Sequence, residues 1–312
     1  PIPKTKHLSS PAGFLNPSLN HPSIKPSLQD QFAFRTTGFS TAAIISLAST
    51  VTSLLNDNNY VHLIALDFSK AFDTLNHYTL ANNLANLPIP DNIYNLLISF
   101  LLKRNHSTYF NNKLSPSLAI NSSVVQGSVL GPSTFIINAS TLQPQHSSNK
   151  IIKYADDTYL IIPSSNTSTI QSELDSLTAW SKQSNLSLNL NKSFELIIHN
   201  SHRKITPPPV HTSITRTDQL KILGVTFTSK LNVAPHIQHI ITKGFQTFFA
   251  LKTLRSHGLR STNLFDVTEA LIVSHIKFAA PSWSGFVTRQ QLQQLQSLIN
   301  KLIRLQYLPS SY

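Results

Sequence analysis

Neither cysteine nor methionine occurs among the 312 residues of this chain. The first absence excludes disulfide frameworks, Cys-bearing zinc sites, iron–sulfur clusters and thiol nucleophiles. The second means that residue 1 is not the product of a start codon, so a fragment or processed piece is expected and no signal peptide can be judged. No uncharged apolar run reaches the roughly 18 residues of a membrane span, so no membrane partner is expected. Charge is scarce as well, at 12% of residues, and negative charge scarcest: 13 Asp and Glu stand against 25 Lys and Arg, a net charge of +12 with a pI near 9.9. That surplus points to a polyanionic partner, most often nucleic acid, although a basic soluble protein without one has the same composition. The remainder is ordinary. An apolar fraction of 40% can bury a core and is too high for a disordered chain. The length fits two domains or one large one, at about 150 residues each.

With so few acids, their positions are informative. The apolar run Val61-His62-Leu63-Ile64-Ala65-Leu66 reads as a buried strand, which puts Asp67 at its C-terminal end. Asp156 and Asp157 lie between the β-rich runs 151–154 and 158–162, and so short a polar break predicts a tight hairpin. Adjacent aspartates repel, which raises the cost of ionising both unless a cation lies between them. Mg²⁺ suits such an oxygen-only site, and Asp67 on a neighbouring strand would complete a cluster for two ions of the kind used in phosphoryl transfer. Taken alone, the Asp156–Asp157 pair fits a solvated turn equally well.

Several further segments occur in an order that carries a resemblance. Lys153-Tyr154-Ala155-Asp156-Asp157-Thr158-Tyr159 resembles the catalytic hairpin of reverse transcriptases. Upstream, Ala65 to His77, with Asp67, Lys70, Phe72 and Asp73, resembles the first palm motif of the non-LTR (LINE-type) retrotransposon enzymes, and Gln126-Gly127-Ser128-Val129-Leu130-Gly131-Pro132 resembles their second. Trp180 followed by Asn185 to Ser193 is similar to the fourth motif, and Leu223-Gly224-Val225 to the fifth, the primer grip. Gln31 to Arg35, with Thr37, Gly38, Ser40 and Thr41, resembles the fingers motif; segments 254–259 and 279–286 resemble the region after the palm. A cellular palm-type polymerase or an intron maturase matches the details of 126–132 and 180–193 less well.

The resemblance implies an α+β right-hand polymerase: a palm with an antiparallel sheet backed by helices, truncated fingers and a helical thumb. It implies a fingers remnant over 1–59, a palm carrying motifs A to E over 60–231 and a thumb over 232–312. Asp67, Asp156 and Asp157 would be the metal ligands, for two Mg²⁺ with Mn²⁺ as a substitute, while a primer 3′-hydroxyl attacks the α-phosphate of a dNTP. Lys192 would protonate the departing pyrophosphate, a role suited to a positioned cation; without the resemblance it is a surface lysine at a strand end. Phe72 would stand beneath the sugar and exclude a 2′-hydroxyl, or else be a core aromatic. Gln126 and Gly127 would contact template or nucleotide, Lys4 and Arg35 the substrate, and Leu223 and Gly224 the primer. Val125 stands where the family has proline. Asp73 either joins this set or caps the next element. RNA template, DNA primer and dNTPs are the implied partners, an upstream endonuclease the implied neighbour in the full-length element, and the nucleus the implied compartment for target-primed integration.

The rest of the chain fits this division. Ile44, Leu47, Ala48, Val51, Leu54 and Leu55 make one helical stripe, and Pro207-Pro208-Pro209 marks an exposed loop. A helix is expected after Gly131 and Pro132. Beyond Pro235, three amphipathic helices are expected: one on Ile237, Ile240, Ile241, Phe245, Phe248 and Phe249, C-capped at Gly258; one over about 263–278; one on Leu292, Leu295, Leu298, Ile299, Leu302 and Ile303. That stretch holds eight Lys or Arg and only Asp266 and Glu269 as acids, a charge pattern suited to duplex phosphates. His236 and His239 lack a further ligand and are read as no metal site. Near the start, Ile2-Pro3-Lys4 resembles the opening of the fingers, but the stretch centred on Arg-Pro-Ile-Ser that follows in the family is missing between Ser9 and Pro22. Two readings result: an RNA-directed DNA polymerase domain, or an inert remnant that only binds nucleic acid.

Overall fold

Strand formation in this chain follows its apolar runs. The computed structural model describes residues 28–312, apart from 36–37, 70, 88, 125–127, 129, 201–204 and 212. Expectations for Lys4, for the segment 9–22, and for Val125, Gln126 and Gly127 therefore lie outside the described residues. Tyr60–Leu66 is a strand buried on both faces, as its unbroken apolar run requires. It is the central member of a five-stranded sheet in the order Thr215–Thr217, Phe194–His199, Tyr60–Leu66, Asp157–Pro163, Lys150–Tyr154. The last two pair antiparallel from Lys150↔Ile161 to Tyr154↔Asp157, the expected hairpin.

The chain divides into two compact units. The first holds the described residues up to Ala43, His62–Glu195 and Pro209–Thr215. Its core joins Leu66, Leu80, Leu84, Phe135, Leu160 and Leu177, so the helices His77–Ala85, Gly131–Ala139 and Ile170–Gln183 share one apolar interior with the strands. Asn76, not Asp73, caps the first of these: its Oδ1 accepts from the Tyr78 and Thr79 amides, while Asp73 is exposed within the short helix Ala71–Thr74. Its cap geometry favours Asn76, which has extended backbone immediately before the first helical residue. Two buried acids fasten loops and strands. Glu173 accepts from the Gln145 and His146 amides and from Asn149, and Glu195 accepts from His62 at 2.6 Å.

The second unit comprises 44–61, 196–208 and 216–312. Helix Ser40–Asp57 carries the stripe 44–55 expected from the sequence. Strands Gln219–Ile222 and Val225–Thr228 form a hairpin, and helices Ala234–Ser256 and Arg289–Arg304 pack with an intervening helical stretch over 261–277. Ala234–Ser256 ends as expected at Gly258, whose φ of 94° lets its amide bond Arg255 O and the Leu259 amide bond Leu254 O. Its buried face differs from the expected stripe. Phe249 is 79% exposed and Phe245 48%, whereas Gly244 and Leu251 face the core. The reason is close packing: a Cβ on Gly244 would lie 2.7 Å from Leu298 Cδ2, so this helix approaches its neighbour through a glycine. Helix Arg289–Arg304 begins with a capping box between Thr288 and Gln291 that periodicity did not reveal. Among the described residues no helix is long and apolar enough to cross a membrane.

Gly244 supplies a direct check on this packing. Gly244→Val inserts branched bulk where a single Cβ already collides, and is expected to lower stability by about 1–3 kcal/mol, read as a lower denaturant midpoint. An unchanged midpoint would contradict the close approach.

Candidate active site

Each candidate carboxylate is positioned by a local feature of the backbone. Asp67 follows the buried strand Tyr60–Leu66, and its backbone is clamped on both sides: its carbonyl accepts from the Asn189 amide at 2.8 Å, and its amide donates to Ser193 Oγ at 3.2 Å. Ser193 Oγ in turn donates to Asn189 O at 2.9 Å, closing the clamp. Next to it, Phe68 pairs with Leu188, and its ring meets Trp180 edge-on at 5.8 Å. Asp156 and Asp157 lie where the hairpin reverses. Ala155, with φ of 56°, takes the left-handed conformation that makes so short a turn, one seldom adopted by a residue bearing a Cβ.

The three carboxylates act on one another. Burial, followed by the charges of Asp156 and then Asp67, raises Asp157 above the ordinary aspartate value of 3.8, although its side chain still reaches solvent. These are hard oxygen donors whose mutual repulsion a divalent cation would relieve, so their chemistry fits Mg²⁺ or Mn²⁺. Among the described residues no three His, Cys, Asp or Glu side chains are gathered tightly enough to hold an ion as they stand.

The other expected residues have diverse surroundings. Lys192 is exposed in a single 3-10 turn, Leu190–Lys192, rather than at a strand end; the Asn189 side chain caps its amide. Upstream of it, Ser187–Leu188 forms a short strand that ends four residues before Lys192. Phe72 is half-buried with its ring stacked on Phe135, centroids 4.5 Å apart. Arg35 turns back on its own segment, one terminal nitrogen donating to Leu28 O and Gln31 O. In the second unit, Leu223 and Gly224 both have positive φ and form the tight turn of the hairpin Gln219–Thr228; a Cβ on Gly224 would lie 2.8 Å from the Phe278 ring. His236 and His239 line a cleft of about 560 Å³ with His275, Lys221 and Lys243. Burial, then the neighbouring His239 and Lys221, push His236 down to about 4.

Local patterns did not single out Lys153 or Asp30. Lys153 is wholly buried one residue before Tyr154 of the hairpin, and its Nζ is 2.8 Å from Asp30 Oδ2. A lysine inside the apolar run 151–154 was the available signal, but its partner lies far away in sequence.

The family model described as "Reverse transcriptase (RNA-dependent DNA polymerase)" matches residues 18–227. The chain is 24% identical over 292 residues to the "Probable RNA-directed DNA polymerase from transposon X-element" of Drosophila melanogaster, covering 89% of this chain and 32% of that protein. It is 25% identical over 294 residues to the one "from transposon BS" of the same organism (88% and 32%), and 27% identical over 223 residues to that "from mobile element jockey" (67% and 24%). It thus spans about a third or less of the length of these curated relatives. Among solved structures, telomerase from Candida tropicalis in complex with the TWJ fragment of telomeric RNA matches with a TM-score of 0.55 at 12% identity, over 95% of this chain and 46% of that one. Its counterpart from Candida albicans gives 0.51 at 12% identity, over 94% and 52%. At such identities the likeness concerns the fold, an α+β right-hand polymerase.

The raised Asp157 has a consequence for stability. A carboxyl whose folded pKa lies above its unfolded value favours the fold below the unfolded value, and loses that contribution as pH rises through the folded value. At neutral pH without divalent cations, Asp157→Asn is therefore expected to raise the thermal midpoint. The gain should shrink as the pH falls toward 3.8 and the parent carboxyl becomes protonated. A variant less stable than the parent at neutral pH, or a gain independent of pH, would contradict a raised Asp157 carboxyl.

Proposed function

Because this chain belongs to the reverse transcriptase family, of the non-LTR retrotransposon kind, we propose that it is an RNA-directed DNA polymerase domain that extends a DNA primer with dNTPs on an RNA template. The observation that carries this reading is the placement of Asp67 directly after a core strand and of Asp156 and Asp157 where the hairpin of the neighbouring strand reverses. Asp67, Asp156 and Asp157 would hold the divalent ions, Mg²⁺ or Mn²⁺, and when bound these lower the barrier to attack by the primer hydroxyl and neutralise charge on the phosphates. The Asn189–Ser193 clamp fixes the backbone that presents Asp67. Lys192, exposed two residues before the strand Phe194–His199, has the freedom to approach a triphosphate and deliver its Nζ proton to the departing pyrophosphate. Phe72, braced on Phe135, would form a rigid floor beneath the deoxyribose.

Clefts in the second unit suit a phosphate-bearing partner. The one beside Gly224 is lined by Lys221, Lys243 and three histidines, and a larger one of about 1010 Å³ by Lys252, Arg255, Arg260 and Arg304, with no carboxylate among the lining residues of either. Cations converging without acids favour nucleic-acid backbone. The division into fingers, palm and thumb over 1–59, 60–231 and 232–312 belongs to the same proposal.

A second reading, binding without turnover, is favoured by the sequence missing between Ser9 and Pro22. Primer extension on an RNA template with dNTPs and Mg²⁺ separates the two. The polymerase reading expects incorporation that falls by about 100- to 1000-fold or more in Asp156→Asn, with template–primer affinity retained and declining steeply with salt. A folded parent that binds template–primer and extends nothing would establish the second reading instead.

A further inference from the structure

The catalytic turn is held from a distant part of the chain, and this brace is not used by the chemistry above. Residues 30–33 run alongside the strand that ends in the turn. The Lys153 amide donates to Asp30 O at 2.7 Å, the Phe32 amide donates to Lys153 O at 2.9 Å, and Gln31 bridges to Lys153 in parallel. Gln31 is fully buried, and its Oε1 accepts two amides, Ala33 at 2.9 Å and Ala155 at 3.1 Å. Ala155 is the residue with φ of 56° that reverses the hairpin immediately before Asp156. The Lys153 Nζ completes the anchor. It pairs with Asp30 and donates to Ala139 O at 2.7 Å and Leu142 O at 2.8 Å, at and just past the C-terminal end of helix Gly131–Ala139, where the helix dipole favours a cation.

We propose that Gln31, anchored by the Asp30–Lys153 pair, is a positioning residue for the catalytic turn: its Oε1 fixes the Ala155 amide and with it the direction in which Asp156 and Asp157 point. The inference rests on the polymerase reading for its catalytic consequence but not for its geometry. A residue in a left-handed conformation stays there only where its surroundings hold it. In this turn the Ala155 amide donates to a side chain 124 positions away in sequence. Among the described residues the Gln31 Nε2 has no partner of its own, so the amide is oriented by what its oxygen accepts. Carboxylates that must share cations need their spacing set before the ions arrive, because like charges left to themselves move apart.

Gln31→Met keeps the volume and removes the acceptor, and Gln31→Glu keeps an acceptor oxygen in place. For Gln31→Met the expectation is a kcat lower by about tenfold or more, a several-fold higher Mg²⁺ concentration for half-maximal rate, and a dNTP KM within about twofold of the parent. Gln31→Glu should recover most of the loss. In the metal-free parent, amide exchange should find Ala155 protected despite its position in a turn, and Gln31→Met should lose that protection while the strands Lys150–Tyr154 and Asp157–Pro163 keep theirs. Rapid exchange at Ala155 in the parent overturns the proposal whatever the variants do. So does a folded Gln31→Met with unchanged kcat and Mg²⁺ dependence. A parent that incorporates nothing refutes the polymerase reading alone; Ala155 protection and Mn²⁺ affinity, compared between parent and Gln31→Met, then decide the positioning role.

Discussion

Like charges held side by side are the constraint on which the first unit is built. Asp67, Asp156 and Asp157 come from segments some ninety positions apart, and burial, together with the charges of Asp156 and Asp67, raises Asp157. Charges in that arrangement repel with a force that only a stiff framework or a counter-ion can resist. The strand Tyr60–Leu66 is buried on both faces, so Asp67 cannot retreat by sliding. The opposite hairpin is pinned through five consecutive residue pairs up to the turn itself.

What surrounds these carboxylates is mainly backbone bonding rather than salt bridging. Asn189 and Ser193 hold the amide and carbonyl of Asp67; Gln31 holds the amide of Ala155. Neutral partners of this kind fix position without cancelling charge. A lysine or arginine in the same places would have quieted the repulsion and reduced the attraction for a cation. The loop feeding the hairpin strand follows another pattern: there the buried Glu173 collects three donors from the segment 145–149, satisfying its charge locally and away from the turn.

Elements whose pattern is local were legible in the sequence. An unbroken apolar run gave away the central strand, a two-residue polar break the hairpin, and leucines at helical spacing the last helix. The signals that failed were those needing a partner. Whether Phe249 or Gly244 faces the core depends on Leu298, more than fifty positions later, and periodicity ranks the phenylalanine higher because it is the more apolar. Capping by Asn76 rather than Asp73 turned on backbone φ and ψ at one residue, since both side chains can cap. The candidate site shows the same division. Asp67, Asp156 and Asp157 stood out because acids are rare in this chain, whereas Lys153 was one of many cations, marked only by its place in an apolar run, and its partner Asp30 lies far away in sequence.

The Asp30–Lys153 pair explains how a charge can stand so close to the catalytic turn without neutralising it. Burial drives the two members in opposite directions, lowering Lys153 and raising Asp30, and each offsets that cost for the other. Viewed from the turn the pair is close to neutral, so its field falls off faster than that of a lone lysine would. Its Nζ is further occupied by the carbonyls of Ala139 and Leu142, which leaves little to reach toward Asp156. A hydrophobic side chain could have filled the same space, and often with less cost to stability. It could not have tied residue 30, the end of helix Gly131–Ala139 and the strand beneath the turn to a single atom. Held in that way, the turn's direction is set by three separate segments, and the negative field of its aspartates remains for a cation to meet.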